Sequence, residues 1–258
     1  FVNDAFGAAH RAHASTVGAA QILPAVGGLL MERELDYLAT ALQAPRRPFI
    51  AILGGAKVSD KIRVIEALLK KVDRLLIGGG MANTFFRAQG LETGASLVEE
   101  DDVKVAANLL QGHADRILLP GDAVLGDSFS EKANKRCIAL DEGVPPGWAI
   151  YDIGPGTVQQ FAEALKEART VVWNGPMGVF ELAPFARGSN EIAALVAQAT
   201  ASGATSIIGG GDSAAAVEAA GFASSVSHIS TGGGASLEML EGRILPGVEA
   251  LDERKTLD

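Results

Sequence analysis

Residues 206–217 read Ser-Ile-Ile-Gly-Gly-Gly-Asp-Ser-Ala-Ala-Ala-Val. The apolar residues suit a buried strand, the glycines a tight turn, and the alanines a helix. Glycine lets backbone N–H groups come close to a ligand. Asp212 and Ser213 are good N-cap residues, and a helix N-terminus attracts anions. A carboxylate beside a bound phosphate is repulsive unless Mg2+ lies between them. The stretch therefore suggests a Mg-nucleotide site. The competing reading is a glycine turn that ends a strand for structural reasons alone.

Other residues offer matching chemistry. Lys57 and Lys61 are four apart, which on a helix puts them on one face. Their repulsion costs roughly 0.2–0.5 kcal/mol, and an anion between them would remove it. A solvated helix face is the alternative. Glu181, after the Asn174-Gly175-Pro176 turn, can accept hydrogen bonds from a ribose or stand as an ordinary surface residue. His10, Arg11 and His13 lie close together in small, apolar sequence. They read either as a satisfied polar cluster or as an anion site with Arg11 as a planar fork. No general base is evident among the turns. Transfer to a sugar hydroxyl often uses one. A carboxylate acceptor, with a pKa of about 4, needs none. Lysines, amides and Mg2+ without a base fit acyl-phosphate chemistry.

The elements that must position these residues alternate. Met31, Leu35, Leu38 and Leu42 make one apolar stripe on a helix over 27–42, which Pro45 and Pro48 stop. Apolar strands at 49–53, 75–77, 117–119, 170–173, 206–208 and 227–230 alternate with helical stretches. Five glycine-rich turns follow strands. This pattern predicts an α/β fold with a doubly wound parallel sheet, Rossmann-like and three-layered, and ligands beyond the carboxyl ends of the strands. Residues 122–143 read as an irregular excursion with short strands.

Composition narrows the function. The 258 residues carry a net charge of −9, which argues against nucleic acid or an anionic membrane as main partner. There is no run of transmembrane length. Cys137 is the only cysteine, expected to be a small buried hydrophobe, and a reducing compartment is favoured. The opening Phe-Val-Asn-Asp, without an initiator Met, reads as a piece of a longer protein. No Gly-x-x-x-x-Gly-Lys-Ser/Thr loop is present, nor a Gly-x-Gly-x-x-Gly after the first strand, nor paired Cys-x-x-Cys.

The turns in order resemble the phosphoglycerate kinase family. The matching segments are Val2–Gly7 through His13, Gly54–Val58 with Asp60 and Lys61, Gly78–Ala82, Asp152–Pro155, Trp173–Glu181, Gly209–Ser213 and Ser230–Ser236. The resemblance implies reversible phosphoryl transfer from 1,3-bisphosphoglycerate to ADP, giving 3-phosphoglycerate and ATP. It implies that Lys57 steadies the transferring phosphoryl group and Lys61 holds nucleotide phosphate. Gly55, Ala56, Gly79, Ile150, Tyr151, Asn174, Gly175, Met177 and Phe180 would line the nucleotide pocket, with Glu181 on the ribose. Gly210, Gly211 and Ser213 would meet phosphates, and Asp212 would bind Mg2+. Gly232, Gly233 and Gly234 would stabilise transition-state charge. Arg11 and His10 would belong to the phosphoglycerate site.

By the same resemblance, residues 1–24 are a remnant of an amino-terminal domain. Residues 25–45 are an interdomain helix, and residues 46–258 form the nucleotide-binding domain with its tail. The family's basic His-Leu-Gly-Arg stretch is missing. The chain is therefore expected to bind Mg-nucleotide but to turn over poorly alone. Apolar residues of the 27–42 helix and the 245–258 tail are expected to be exposed and to favour self-association or disorder. The intact enzyme is expected to be a cytoplasmic monomer. A non-catalytic nucleotide-binding module is the alternative. A dinucleotide-dependent oxidoreductase is disfavoured by the missing fingerprint.

Overall fold

The alternating apolar runs form the expected strands and helices. A computed structural model describes residues 1–252. The chain opens with β1 (Val2–Asn3), β2 (Val26–Gly27), α1 (Leu29–Gln43), β3 (Phe49–Leu53), α2 (Ile62–Leu69), β4 (Arg74–Ile77) and α3 (Ala82–Ala88). It continues with α4 (Val103–His113), β5 (Ile117–Leu118), β6 (Asp122–Gly126), β7 (Lys135–Ala139), β8 (Ala149–Ile153) and α5 (Pro155–Leu165). Then come β9 (Thr170–Asn174), α6 (Arg187–Ala201), β10 (Thr205–Gly209), α7 (Gly211–Ala219), β11 (His228–Ile229), α8 (Gly233–Leu240) and α9 (Pro246–Glu249).

The main sheet has strand order β11-β10-β9-β3-β4-β5, and every neighbouring pair is parallel. Successive side chains on a strand point to opposite faces. Ala51, Leu53, Leu75, Ile77, Val172 and Ile207 therefore pack with Met31, Leu38, Val64, Leu68 and Phe85 on one side. Ile50, Ile52, Leu76, Val171, Trp173 and Ile208 pack with Phe161, Leu165, Ile192, Val196 and Val217 on the other. Cover on both faces explains why the strands read as unbroken apolar runs rather than alternating ones.

Strand order reverses between β3 and β9. From β3 the chain steps through β4 to β5, and from β9 it steps the other way through β10 to β11. Such a switch point opens a crevice beyond the strand ends. Residues 122–153 form a separate antiparallel sheet of order β7-β6-β8. Cys137 lies on β7 and is exposed, against the expectation of burial. β7 is an edge strand of that small sheet, with little to cover it.

Helix α1 starts at Leu29, two residues later than its pattern suggested. Its buried face carries Met31, Leu38 and Leu42, together with Glu34, which is fully buried. Ile22, Leu23, Val26 and Leu29 are exposed before and at its start. Of the expected tail, residues 253–258 lie outside the described residues. The described part is tied down. Gly247 N donates to Ala9 O at 2.8 Å, and the Asp252 carboxylate accepts the Ala25 amide at 2.9 Å. No helix among the described residues is long and apolar enough to cross a membrane.

Candidate functional site

The two strands that flank the switch point end in glycine turns that are bonded to each other. Gly54 N donates to Asn174 O and Gly55 N to Pro176 O, both at 2.9 Å. Gly79 N donates to Met177 O and Met81 N to Gly55 O, both at 3.0 Å. Gly175 has φ +92°, and a Cβ there would overlap the carbonyl of Gly54. Only glycine fits so close an approach in that conformation.

Lys61 reaches back into this junction. Its Nζ donates to Gly54 O at 2.6 Å. Burial pushes its pKa down to about 8, against the opposing pull of the Asp60 and Asp212 charges. Lys57 lies instead in the exposed turn before a short 3-10 segment, Ser59–Lys61, and α2 begins only at Ile62. The two lysines therefore do not share a helix face as their spacing suggested. The carboxylate of Glu99 accepts the amides of Val58 and Ser59 at 2.5 and 3.0 Å and holds that turn.

Asp212 and Ser213 do not cap α7. Gly210 takes the cap position with φ +90°, which starts the helix earlier than a Ser or Asp cap would. Asp212 is exposed in the first turn. Ser213 is buried and accepts the Gly175 amide. No side chain caps α7 or α8. These two N-termini lie side by side, since a Cβ on Gly233 would be 3.2 Å from Gly210 Cα. Beside them sits the Nδ2 of Asn174, buried without a partner, 3.1 Å from where a Gly210 Cβ would be.

His10 borders the same turn. Its Nε2 would be 2.8 Å from a Cβ on Gly234, and its Nδ1 is buried without a partner. Arg11, next to it, is exposed. Gly79, Ile150, Tyr151 and Met177 line one small recess. Val179 N donates to Tyr151 O, leading to half-buried Phe180 and exposed Glu181. Ala56 and Gly211 are exposed at their turns.

Two residues at this recess have no role in the sequence reading, although Asp152 lies in a matching segment. Phe129 is 67% exposed and stands edge-on to Tyr151, at 5.7 Å between ring centres. A lone Phe in the polar stretch 127–134 was its available signal. Asp152 is buried, accepts the amides of Ile153 and Gly188, and has its pKa pushed up to about 7 by burial. The large cavity of about 770 Å3 lies at the opposite sheet edge, where Arg47 and Arg116 are already tied to Lys71 and Leu69 carbonyls.

Residues 1–243 match the family profile described as phosphoglycerate kinase. The chain belongs to that family. It is 59% identical to the phosphoglycerate kinase of Chloroflexus aurantiacus and 61% identical to that of a Roseiflexus species, over 256 residues in each case. Both alignments cover 98% of this chain and 64% of the relative. The solved phosphoglycerate kinase of Coxiella burnetii superposes with TM-score 0.92 at 43% identity, covering 97% of this chain and 64% of that one. That of Pyrococcus horikoshii gives TM-score 0.83 at 36% identity, covering 97% and 63%. The chain thus spans somewhat less than two thirds of these phosphoglycerate kinases.

Asp212 offers a single exposed carboxylate at the start of α7. Among the described residues no group of three or more His, Cys, Asp or Glu side chains could hold an ion unaided. A Mg2+ here would take Asp212 oxygen plus phosphate oxygens and water, its usual preference.

Proposed function

We propose that this chain binds Mg-ADP and Mg-ATP at the switch point and serves phosphoryl transfer between nucleotide and 1,3-bisphosphoglycerate. The observation that carries this reading is the pairing of two uncapped helix N-termini, α7 and α8, beside the Lys61 ammonium. Unpaired first-turn amides and the positive dipole end favour phosphate. The orphaned Asn174 Nδ2 is a further donor aimed at the same space.

In this reading Gly210, Gly211, Ser213 and Lys61 hold the nucleotide phosphates. Lys57 steadies the phosphoryl group in flight, and of the Gly232–Gly234 turn the Gly233 and Gly234 amides receive the charge that develops, since the Gly232 amide donates to Ser230 Oγ. Mg2+ on Asp212 would neutralise phosphate charge. Gly55, Ala56, Gly79, Ile150, Tyr151, Asn174, Gly175, Met177 and Phe180 form the nucleotide wall, with Glu181 on the ribose. Arg11 and His10 face the acyl-phosphate substrate. No side chain need act as base, because a carboxylate acceptor is already ionised.

The same proposal assigns residues 1–24 and 25–45 to an amino-terminal remnant and a connecting helix, and residues 46–258 to the nucleotide domain. It takes the intact enzyme to be a cytoplasmic monomer. These residues alone are expected to bind nucleotide and turn over poorly, because catalysis needs both substrates enclosed.

Calorimetric titration with MgADP tests the proposal. Saturable binding that Asp212→Ala weakens supports it. A folded chain that binds no MgADP defeats it for these residues.

A further inference from the structure

Four glycine turns of the sheet edge lead into helical segments near the switch point, at residues 54–55, 78–80, 209–211 and 232–234. The turn that carries Lys57 is held by a carboxylate from a distant segment, as Glu34 holds Thr231 before α8. Glu99 Oε2 accepts Val58 N at 2.5 Å and Ser59 N at 3.0 Å, while Glu99 Oε1 accepts Ser59 Oγ at 2.5 Å. One carboxylate thus takes three donors from two successive residues.

Glu99 is itself anchored. Its N–H donates to Oγ1 of Thr84, a buried residue of α3, at 3.1 Å. Asn83 Nδ2 donates to Leu97 O at 3.1 Å, a second tie between the same segment and α3. From the other side α3's own glycine turn presses on the lysine turn. A Cβ on Gly80 would be 3.1 Å from Ala56 O, and Met81 N donates to Gly55 O. Residues 55–59 are therefore gripped front and back, with Lys57 exposed at the apex.

We propose that Glu99 is a positioning residue for Lys57: its carboxylate fixes the turn that carries the lysine. The inference rests on the nucleotide reading given above. Two features make a carboxylate suited to the task. Hydrogen bonds to an ionised acceptor are about twice as strong as neutral ones. The negative charge also attracts the Lys57 ammonium. Burial raises the Glu99 pKa, but the Ser59 and Val58 donors and the Lys57 charge outweigh it and keep the group ionised.

The consequence is selective. Lys57 is assigned to the transferring phosphoryl group, which ATP carries and ADP lacks. Loosening its turn should harm MgATP binding and spare MgADP. A residue that merely supported the fold would weaken both alike. The test is calorimetric titration of the chain and of Glu99→Ala, Glu99→Asp and Ser59→Ala with MgATP and, separately, MgADP. Glu99→Ala should weaken MgATP about five- to tenfold and leave MgADP within about twofold. Glu99→Asp should recover part of that selectivity. Ser59→Ala, which removes one bond of three, should show a smaller loss in the same direction. It keeps the test decisive if Glu99→Ala does not fold. Equal weakening of both nucleotides, or no change in either, overturns the inference alone. Failure of the unaltered chain to bind either nucleotide overturns the nucleotide reading and the inference with it.

Discussion

Glu34 Oε2 lies 2.7 Å from Nε2 of His228, with both side chains buried. The other carboxylate oxygen accepts the amide and hydroxyl of Thr231 at 2.6 and 2.8 Å. Tyr37, one turn along α1, stacks flat on the His228 ring at 4.7 Å. One buried acid on α1 thus holds the residue that opens the Gly232–Gly234 turn. Helix and turn are mechanically one piece at this point.

Removing that acid should be costly. Breaking a buried, hydrogen-bonded pair typically destabilises by about 3–5 kcal/mol, because the remaining partners stay desolvated. Glu34→Ala should fall in that range in urea unfolding. The pH dependence has a definite sign. Burial raises the Glu34 pKa, but the bonds from His228, then Thr231 and Ser230, prevail and hold it below its ordinary value. The resulting stability is fully present above the unfolded pKa and is lost as pH falls through the folded one. Glu34→Gln should unfold with a shallower acid slope than the parent. An unchanged slope between pH 5 and 3 would contradict this account.

Lys61 should bind nucleotide with proton uptake. Its pKa is pushed down to about 8 by burial. Between about pH 8 and the unfolded value near 10.5 the unfolded chain holds more protons, so apo stability rises with pH there. A phosphate placed beside the ammonium favours the charged form and reverses the shift. MgADP binding at pH 8 should therefore absorb up to about half a proton, and affinity should weaken as pH rises further. Calorimetry in two buffers of different ionisation heat measures the uptake directly. Lys61→Met should abolish it and weaken binding about tenfold or more. Uptake that persists in the Met variant would assign the proton to another group.

Gly175→Ala should damage both fold and site. Its positive φ alone costs an L-residue roughly 1–2 kcal/mol, and the added Cβ meets the rigid carbonyl of Gly54. The expected result is a loss of about 2–4 kcal/mol in stability together with loss of MgADP binding. Gly112→Ala is the control. It lies inside α4 with no atom within 4 Å of its would-be Cβ, and should be neutral or stabilising.

How much of this was legible follows from the range of each interaction. Continuous apolar strands followed by glycine turns are local signals, and they placed the sheet, its two covered faces and the five turns. The roles of Glu34 and Glu99 depend on distant contacts. Glu34 reads as an ordinary charged helix residue, since its partners His228 and Thr231 lie 194 and 197 positions away. Glu99 belongs to an acidic run, Glu99-Glu100-Asp101-Asp102, that looks solvated, and its donors lie about forty residues back. The lysine spacing misled because Lys57 lies in a turn before the 3-10 segment, and that turn is bonded to distant Glu99 rather than to a helix. The α7 start misled because capping propensity favours Asp and Ser, whereas the close packing of Gly210 and Gly233 requires glycine at the cap.

Asp152 gives the last prediction. Its carboxylate accepts the amides of Ile153 and Gly188 at 2.9 and 2.7 Å, and a Cβ on Gly178 or Gly188 would overlap it. The next residue, Ser189, accepts the amides of Met177 and Gly178 in the nucleotide wall. Burial pushes the Asp152 pKa up to about 7. Between the unfolded value near 4 and pH 7 the native chain keeps a proton that the unfolded chain releases. Stability should therefore fall as pH rises across that window, by at most about 1.4 kcal/mol per pH step of one. Asp152→Asn cannot ionise, and it gives up one accepted bond worth about 1 kcal/mol. The two stability curves should cross: the variant less stable than the parent at pH 4 and below, and more stable than it at pH 8. Parallel curves in urea unfolding across this range would mean that Asp152 does not carry the proton.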